Sequence, residues 1–249
     1  MNRLSERLMH IAGQVSVGQT LADVGCDHGY LPIYLVRKGC MQRAIAMDIN
    51  EGPLQRAREH IEREALGAYI QTRMSDGLEK LCPGEADAVV IAGMGGNLTI
   101  DILTRGEAVV RTLDQLILEP QSELAAVRAF LRENDYFIEA EDLVLEDGKY
   151  YPILRVLPQK SSDALVFSKE SGLSTGVLDA YGHRLLAEHH PVLLSFLKKE
   201  KRQCEQILAG LPTEGAESGR IALRRAELAE KMERNRAAMA YIDIKEGEG

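Results

Sequence analysis

Between Leu21 and Leu118 short apolar runs alternate with amphipathic segments at close intervals. This is the pattern of a parallel sheet covered on both faces, whose strands are buried on two sides and read as continuous hydrophobic runs. It predicts strands at Thr20 to Val24, Arg43 to Met47, Tyr69 to Arg73, Ala88 to Ala92 and Gln115 to Leu118. Helices are predicted at Tyr30 to Lys38, Gly52 to Glu64, Leu98 to Leu103 and Ser122 to Glu133, the last with Ser122 as its start signal and Glu123 in its first turn. Tyr136 to Leu145 and Tyr150 to Leu157 then meet at Asp147-Gly148, a strong hairpin signal. Pro158 to Ser174 is polar and serine-containing and reads as a linker. Beyond it the period turns helical. Leu193, Leu197, Glu200, Cys204, Ile207 and Leu211 step by 4 and 3 alternately, as do Ile221, Arg225, Leu228, Met232, Asn235, Met239 and Ile242. Two such helices joined by Pro212 to Gly219 form an antiparallel coiled-coil hairpin, its seam interrupted by Glu200, Arg225 and Asn235. The expected architecture is an α/β Rossmann-like domain over 1–160 and a helical coiled-coil domain over 161–249.

Composition narrows the class. A chain of 249 residues, 45% of them hydrophobic, buries one full α/β core with an appendage. No apolar run reaches membrane-spanning length, and M-N-R-L-S-E-R-L-M-H lacks the features of a signal peptide, so a cytoplasmic protein without a membrane partner is expected. Cys26, Cys40, Cys82 and Cys204 are scattered with no C-x-x-C pair, which predicts reduced, mostly buried thiols. The formal charge is -8. Residues 160–249 hold 14 basic and 14 acidic side chains, leaving 16 basic and 24 acidic in 1–159, so all the excess acid lies in the first part. Lys198 to Arg236 carries ten basic residues against seven acidic, which fits either a solvated helical face or a local basic surface.

The candidate chemistry starts at L-A-D-V-G-C-D-H-G-Y-L-P, Leu21 to Pro32, where a strand runs into a turn holding two carboxylates and two glycines. Gly25 permits a sharp turn and Gly29 leaves room for a ligand before the helix at Tyr30, the usual crevice of an open α/β sheet. A dinucleotide site needs G-x-G-x-x-G so that a bare helix N-terminus faces a pyrophosphate. Here the loop is G-C-D-H-G, and Asp27 in its middle would repel phosphate. S-adenosylmethionine has no phosphate and carries a sulfonium and an ammonium, for which Asp23 and Asp27 are favourable partners. Cys26 and His28 complete the predicted cofactor loop. Asp48, followed by Ile49, ends the second strand where an acidic side chain meets ribose hydroxyls, although it also fits a helix cap. Asp76 and Gly77 follow the third strand, where class I methyltransferases place a polar contact to the adenine amine. The antiparallel hairpin at the end of the sheet fits that class as well.

The fourth strand opens into A-G-M-G-G-N, Ala92 to Asn97. Ala92 and Gly93 are predicted to wall the cofactor, and Gly93, Met94 and Gly95 to face the acceptor; a tight strand-to-helix turn explains the same glycines. The D/N-P-P-Y motif of amino-directed methyltransferases is missing, which points to a ring nitrogen as target. Tyr30 and Pro32 fit stacking on a base or packing at the helix start. His28 and the group His183, His189 and His190 lack the spacing of a metal site, and no metal is expected.

These segments, with E-P-Q-S-E-L-A-A-V-R-A-F-L, the hairpin E-D-G-K-Y-Y and the helical tail, closely resemble the bacterial tRNA (adenine-22-N1)-methyltransferases from about Leu4 to Ile242. Two small departures stand in the loop: Cys26 where serine is usual, and Gly29 where alanine is usual. The resemblance implies methyl transfer from S-adenosyl-L-methionine to adenine N1 in tRNA, with the coiled coil gripping the RNA. Asp27 then becomes a candidate for the base as well as for the cofactor, with Tyr30 and Met94 as stacking surfaces. Lys198, Lys199, Lys201, Arg202, Arg224 and Arg225 become candidate phosphate contacts, and a monomer is expected. From the residues alone, a small-molecule methyltransferase and a non-catalytic RNA-binding protein remain open.

Overall fold

The computed structural model describes residues 4–212 and 219–246, which divide into two units, one ending at Ser161 and the other beginning at Ser162. Seven strands form one sheet in the first unit. β1 (Gly18–Val24) pairs in parallel with β2 (Met41–Asp48) on one side and β4 (Ala88–Met94) on the other. β3 (Ile70–Met74) continues beyond β2, and β5 (Gln115–Pro120) beyond β4, both parallel. The hairpin of β6 (Phe137–Glu146) and β7 (Lys149–Leu157) adds β7 antiparallel to β5, giving the order β3-β2-β1-β4-β5-β7-β6. Chain direction across the sheet reverses between β1 and β4, so a crevice opens at the C-terminal ends of those strands. This is the Rossmann-like α/β sheet expected from the sequence.

Burial explains why these segments are strands. All six residues of β5 are buried, as are Leu21 to Val24 of β1. The Asp147-Gly148 turn has positive φ at both positions, 49° and 74°, the type I′ geometry whose twist suits a two-residue hairpin. α2 (Tyr30–Arg37) and α3 (Glu51–Arg63) cover one face through Leu31, Leu35, Leu54 and Ile61. α4 (Gly96–Arg105), α5 (Glu107–Val110) and α6 (Leu124–Glu133) cover the other through Leu103, Val110, Val127 and Leu131.

An additional helix, α1 (Glu6–Gln14), precedes the sheet and was not predicted. Ser5 caps it, its Oγ accepting the Leu8 N–H at 3.2 Å, and Ile11 and Ala12 enter the same core as α2 and α3. The expected start of the helix at Ser122 is corrected: α6 begins at Leu124, after Glu123 in a left-handed conformation. Ser122 is held instead against α4, where its Oγ accepts the Gly96 N–H at 3.3 Å. A Cβ on Gly96 would lie 2.4 Å from the Ser122 carbonyl oxygen, so only glycine permits this approach.

The second unit is helical. α7 (Asp163–Ser171), α8 (Thr175–Tyr181) and α9 (His183–Ala187) precede α10 (Leu193–Gly210) and α11 (Gly219–Glu246). α7 lies inside the predicted linker. It buries no residue of its own, and contacts distant in sequence hold it: Phe167 meets Tyr241 edge-on at 5.8 Å, and Arg184 bonds Asp163 at 2.8 Å. α10 and α11 pack antiparallel through Leu193, Leu197, Cys204, Leu228, Ala238 and Ile242. Ile207, expected in the seam, is 42% exposed. Glu200 and Asn235, which interrupt the apolar repeat, form a polar knot with their neighbours. Glu200 accepts hydrogen bonds from Tyr181 Oη at 2.6 Å and Asn235 Nδ2 at 3.0 Å, and its other oxygen pairs with Lys231 Nζ at 2.9 Å. Residues 213–218 of the predicted loop lie outside the described residues. The expectation of mostly buried thiols holds for Cys26 and Cys204, while Cys40 is half-buried and Cys82 exposed. Among the described residues no helix is long and apolar enough to cross a membrane.

Candidate functional site

The crevice is built where β1 ends. Gly25 turns the chain with φ 77°, and the N–H groups of Gly25 and Cys26 donate to the Met47 carbonyl at 2.8 and 2.9 Å, tying the loop to β2. A side chain at Gly25 is excluded twice: by that φ and because a Cβ would stand 2.5 Å from the Met94 methyl. The structure thus brings Met94, at the end of β4, onto the loop after β1. Gly29, also left-handed, begins α2 with its backbone against Ala57 of α3.

Carboxylates line this turn. Asp23 is buried, and its carboxyl is pushed up to about 7 by burial first and by the like charge of Asp48 second. Asp48 accepts the Asn50 N–H at 2.9 Å through Oδ1, so it shapes the turn that leads into α3. Ile49 beside it is 58% exposed. Two carboxyls in one crevice, one of them made easier to protonate by lost water and then by the other's charge, are suited to a cationic guest. The Cys26 thiol is pushed up by burial and by Asp23, Asp48 and Asp27, which keeps it protonated and unreactive.

Asp27, with φ 47°, points its carboxylate at two cationic or polar groups: Arg56 Nη2 at 3.1 Å and His28 Nε2 at 3.6 Å. The His28, Tyr30 and His60 rings lie close and nearly parallel, with centroids 5.4 Å apart for His28–Tyr30 and 4.9 Å for Tyr30–His60. Asp76, after β3, is bracketed by the two Nη atoms of Arg105, both at 3.2 Å, so its carboxylate is engaged within the protein. Gly77 packs against Ile102. Asp23, Gly25, Asp48 and Met94 therefore converge, while Asp76 sits in a separate ion-pair cluster with Glu79 and Asp101.

Sequence reasoning missed Glu119 and Arg7. The register of β4 on β5 shifts between Ala92 and Met94, and Gly93 takes φ 76° there. Its freed N–H donates to Glu119 Oε2 at 2.8 Å, and Arg7 Nη1 donates to the same oxygen at 2.7 Å. The Glu119 side chain is fully buried, and among the described residues its Oε1 has no partner. Burial pushes this carboxyl up, and Arg7 and the Gly93 N–H only partly offset it. The signal available was the E-P ending of an otherwise apolar strand, since charge inside a buried parallel strand needs a reason. Gly95, by contrast, is explained by packing, as its Cβ would meet Ser122 Oγ at 3.2 Å.

In the second unit Lys198, Lys199, Lys201 and Arg202 lie on the exposed face of α10. Lys201 is 4.0 Å from Glu205, Arg224 pairs with Glu227 at 2.9 Å, and Arg225 donates to the Pro212 carbonyl at 2.7 Å. Among the described residues no group of His, Cys, Asp and Glu is arranged to hold a metal ion.

Comparison with known proteins adds the following. The family described as "Methyltransferase domain" matches residues 4–154. The tRNA (adenine(22)-N(1))-methyltransferase of Bacillus subtilis strain 168 is 34% identical over 231 residues, covering 93% of this chain and 94% of the relative. The crystal structure of the B. subtilis M1A22 tRNA methyltransferase superimposes with a TM-score of 0.85 at 32% identity, covering 96% of this chain and 100% of that one. M. capricolum TrmK, solved with the natural cofactor product S-adenosyl-homocysteine, gives 0.79 at 26% identity, over 96% of this chain and 99% of that one.

Proposed function

The chain belongs to the bacterial tRNA (adenine-22-N1)-methyltransferases, within the methyltransferase-domain family, and on that premise we propose how its own residues divide the work. It transfers the methyl group of S-adenosylmethionine to N1 of adenine 22 in tRNA. The observation that carries the residue assignment is the Asp23–Asp48 pair at the strand reversal, whose mutual repulsion asks for a cation. When bound, S-adenosylmethionine supplies a methyl group activated by the sulfonium. Asp23 and the 25–29 loop hold its charged end, and Asp48 with exposed Ile49 flanks its nucleoside.

Adenine N1 offers a free lone pair, so no side chain has to remove a proton before the new N–C bond forms and the S–C bond breaks. The protein's task is to orient the base and exclude water. N1 lies on the pairing edge, so the base has to leave its stack to be presented. Gly93, Met94 and Gly95 form its floor, fixed from below by Glu119 through the Gly93 N–H, and Tyr30 flanks it. The methylated ring is cationic. Asp27, on the same loop and held between Arg56 and His28, favours that charge. In the second unit, Lys198, Lys199, Lys201, Arg202 and Arg224 contact tRNA phosphates, and Arg225 serves mainly to shape the hairpin end. The working form proposed is a cytoplasmic monomer.

The test is incubation with labelled S-adenosylmethionine and an unmodified tRNA transcript, followed by nucleoside analysis. N1-methyladenosine is the expected product, and label appearing only in small metabolites overturns the reading. Asp27→Asn is expected to slow single-turnover methylation about tenfold. An unchanged rate removes Asp27 from the chemistry.

A further inference from the structure

A second cavity of about 320 Å³ opens beside the cofactor loop, between one face of α2 and the end of α3. Its size falls in the range of small-ligand sites. Tyr30, Tyr34, Arg37 and Lys38 recur along α2 at helical spacing, and His60 and Arg63 face them from α3. From residue 30 to residue 38 the helix rises about 12 Å. The aromatic groups lie toward the cofactor loop and the cations toward the far end.

Three observations say what this groove takes. The first is charge: the unit around it carries a large acidic excess, yet the groove presents three cations against one carboxylate, Glu64. Arg37 is paired with that carboxylate. Among the described residues Lys38 and Arg63 have no acidic partner, and Lys38 merely lies 5.8 Å over the Tyr34 ring. The second is the ring array: Tyr30 and His60 line the groove, and His28, nearly parallel to both, belongs to the cofactor loop beside Asp27. Aromatic surface therefore runs without a break from the methyl-transfer crevice into the groove. The third is an unsatisfied atom, His28 Nδ1, buried without a partner at the junction of the two.

We propose that this groove seats a nucleotide next to the methylated adenine, its base against the Tyr30, His60 and Tyr34 rings and its phosphate between Lys38 and Arg63. An aromatic lining followed at helical reach by unpaired cations matches a base followed by its phosphate. This inference rests on the tRNA methyltransferase reading. It adds to it that the first unit grips RNA as well as modifying it, and that the strand enters along α2.

Lys38→Glu combined with Arg63→Glu tests it, since both side chains are exposed and neither was placed in the methyl-transfer machinery. Binding of an unmodified tRNA transcript is titrated at several salt concentrations, with S-adenosylmethionine affinity and the thermal midpoint measured alongside. Expected are tRNA binding weakened at least about tenfold at low salt, a salt slope shallower by about 1 to 2, and cofactor affinity unchanged. His60→Ala is expected to weaken tRNA binding about fivefold or more at every salt concentration without altering the slope, because stacking releases no counterions. Wild-type affinity and slope in the doubly reversed variant overturn the proposal. The readout is binding, so the parent reading fails separately: a wild-type protein that binds tRNA but forms no N1-methyladenosine overturns the activity, and the groove is still judged by the two variants. A wild-type protein that binds no tRNA overturns both.

Discussion

Asp23, next to last in β1, has its carboxyl pushed up to about 7 by burial and by Asp48. The folded protein keeps this proton to higher pH than the unfolded chain, whose carboxyl titrates near 3.8. The stability it contributes is complete below that value and is lost as pH rises through about 7. A cationic cofactor favours the carboxylate, so binding expels the proton, and affinity for S-adenosylmethionine is expected to rise from pH 6 to pH 8. Asp23→Asn is expected to bind at least about tenfold more weakly and without that slope, as calorimetric titration would show. A flat wild-type profile would remove Asp23 from the cofactor's charged end. Glu119→Gln keeps the shape but exchanges a paired charge for a neutral amide. It is expected to lower kcat by on the order of tenfold to a hundredfold, leaving cofactor affinity unchanged, because it loosens the Gly93 peptide rather than the cofactor loop. The sequence disclosed Asp23 and not Glu119 for a physical reason. The first belongs to a local motif in which strand, glycine and acid stand within a few residues. The second acquires its meaning only when Arg7 arrives from 112 residues away.

Elements with their own periodicity were legible. All seven strands lie where apolar runs or turn signals put them, most plainly β5, whose burial on both faces leaves a continuous apolar run. α1, α5, α7, α8 and α9 were not predicted. Each is a short helix of four to nine residues, held by tertiary contacts rather than by a long amphipathic stripe. Two of the polar residues that interrupt the α10–α11 repeat, Glu200 and Asn235, form a junction in the structure. Glu200 collects Tyr181, Asn235 and Lys231, so three elements meet on one carboxylate. Removing it strands the Tyr181 hydroxyl in a partly buried setting and leaves the Asn235 amide with the Leu197 carbonyl alone. Glu200→Ala is expected to cost about 2 to 4 kcal/mol of second-unit stability in a denaturant melt followed by helical circular dichroism. Glu200→Gln, which keeps an acceptor, should cost clearly less, and equal losses in the two variants would place the effect in packing instead.

The charge of the whole molecule is unevenly laid out: acid in excess over the first unit, balance in the second, with Lys198, Lys201 and Arg202 exposed together on α10. If these three meet phosphates, reversing them to glutamate should raise KM for tRNA and reduce the salt slope by about 2 to 3, with kcat at saturating tRNA unchanged. The helix α1 carries a different consequence. It is seated by residues made long after it: Arg7 on Glu119 and Glu146, and His10 on Asp142, the last pair at 2.6 Å. A ribosome releases this segment well over a hundred residues before its dock exists. At about 5 to 20 residues per second that is a wait on the order of ten seconds before its polar partners on β5 and β6 exist. This helix is thus locked in only once the hairpin has been made. A chain interrupted before its closing hairpin has Glu119 beneath Gly93 but lacks the Glu146 and Asp142 anchors of α1, so the Arg7 that pairs with Glu119 is seated late in synthesis.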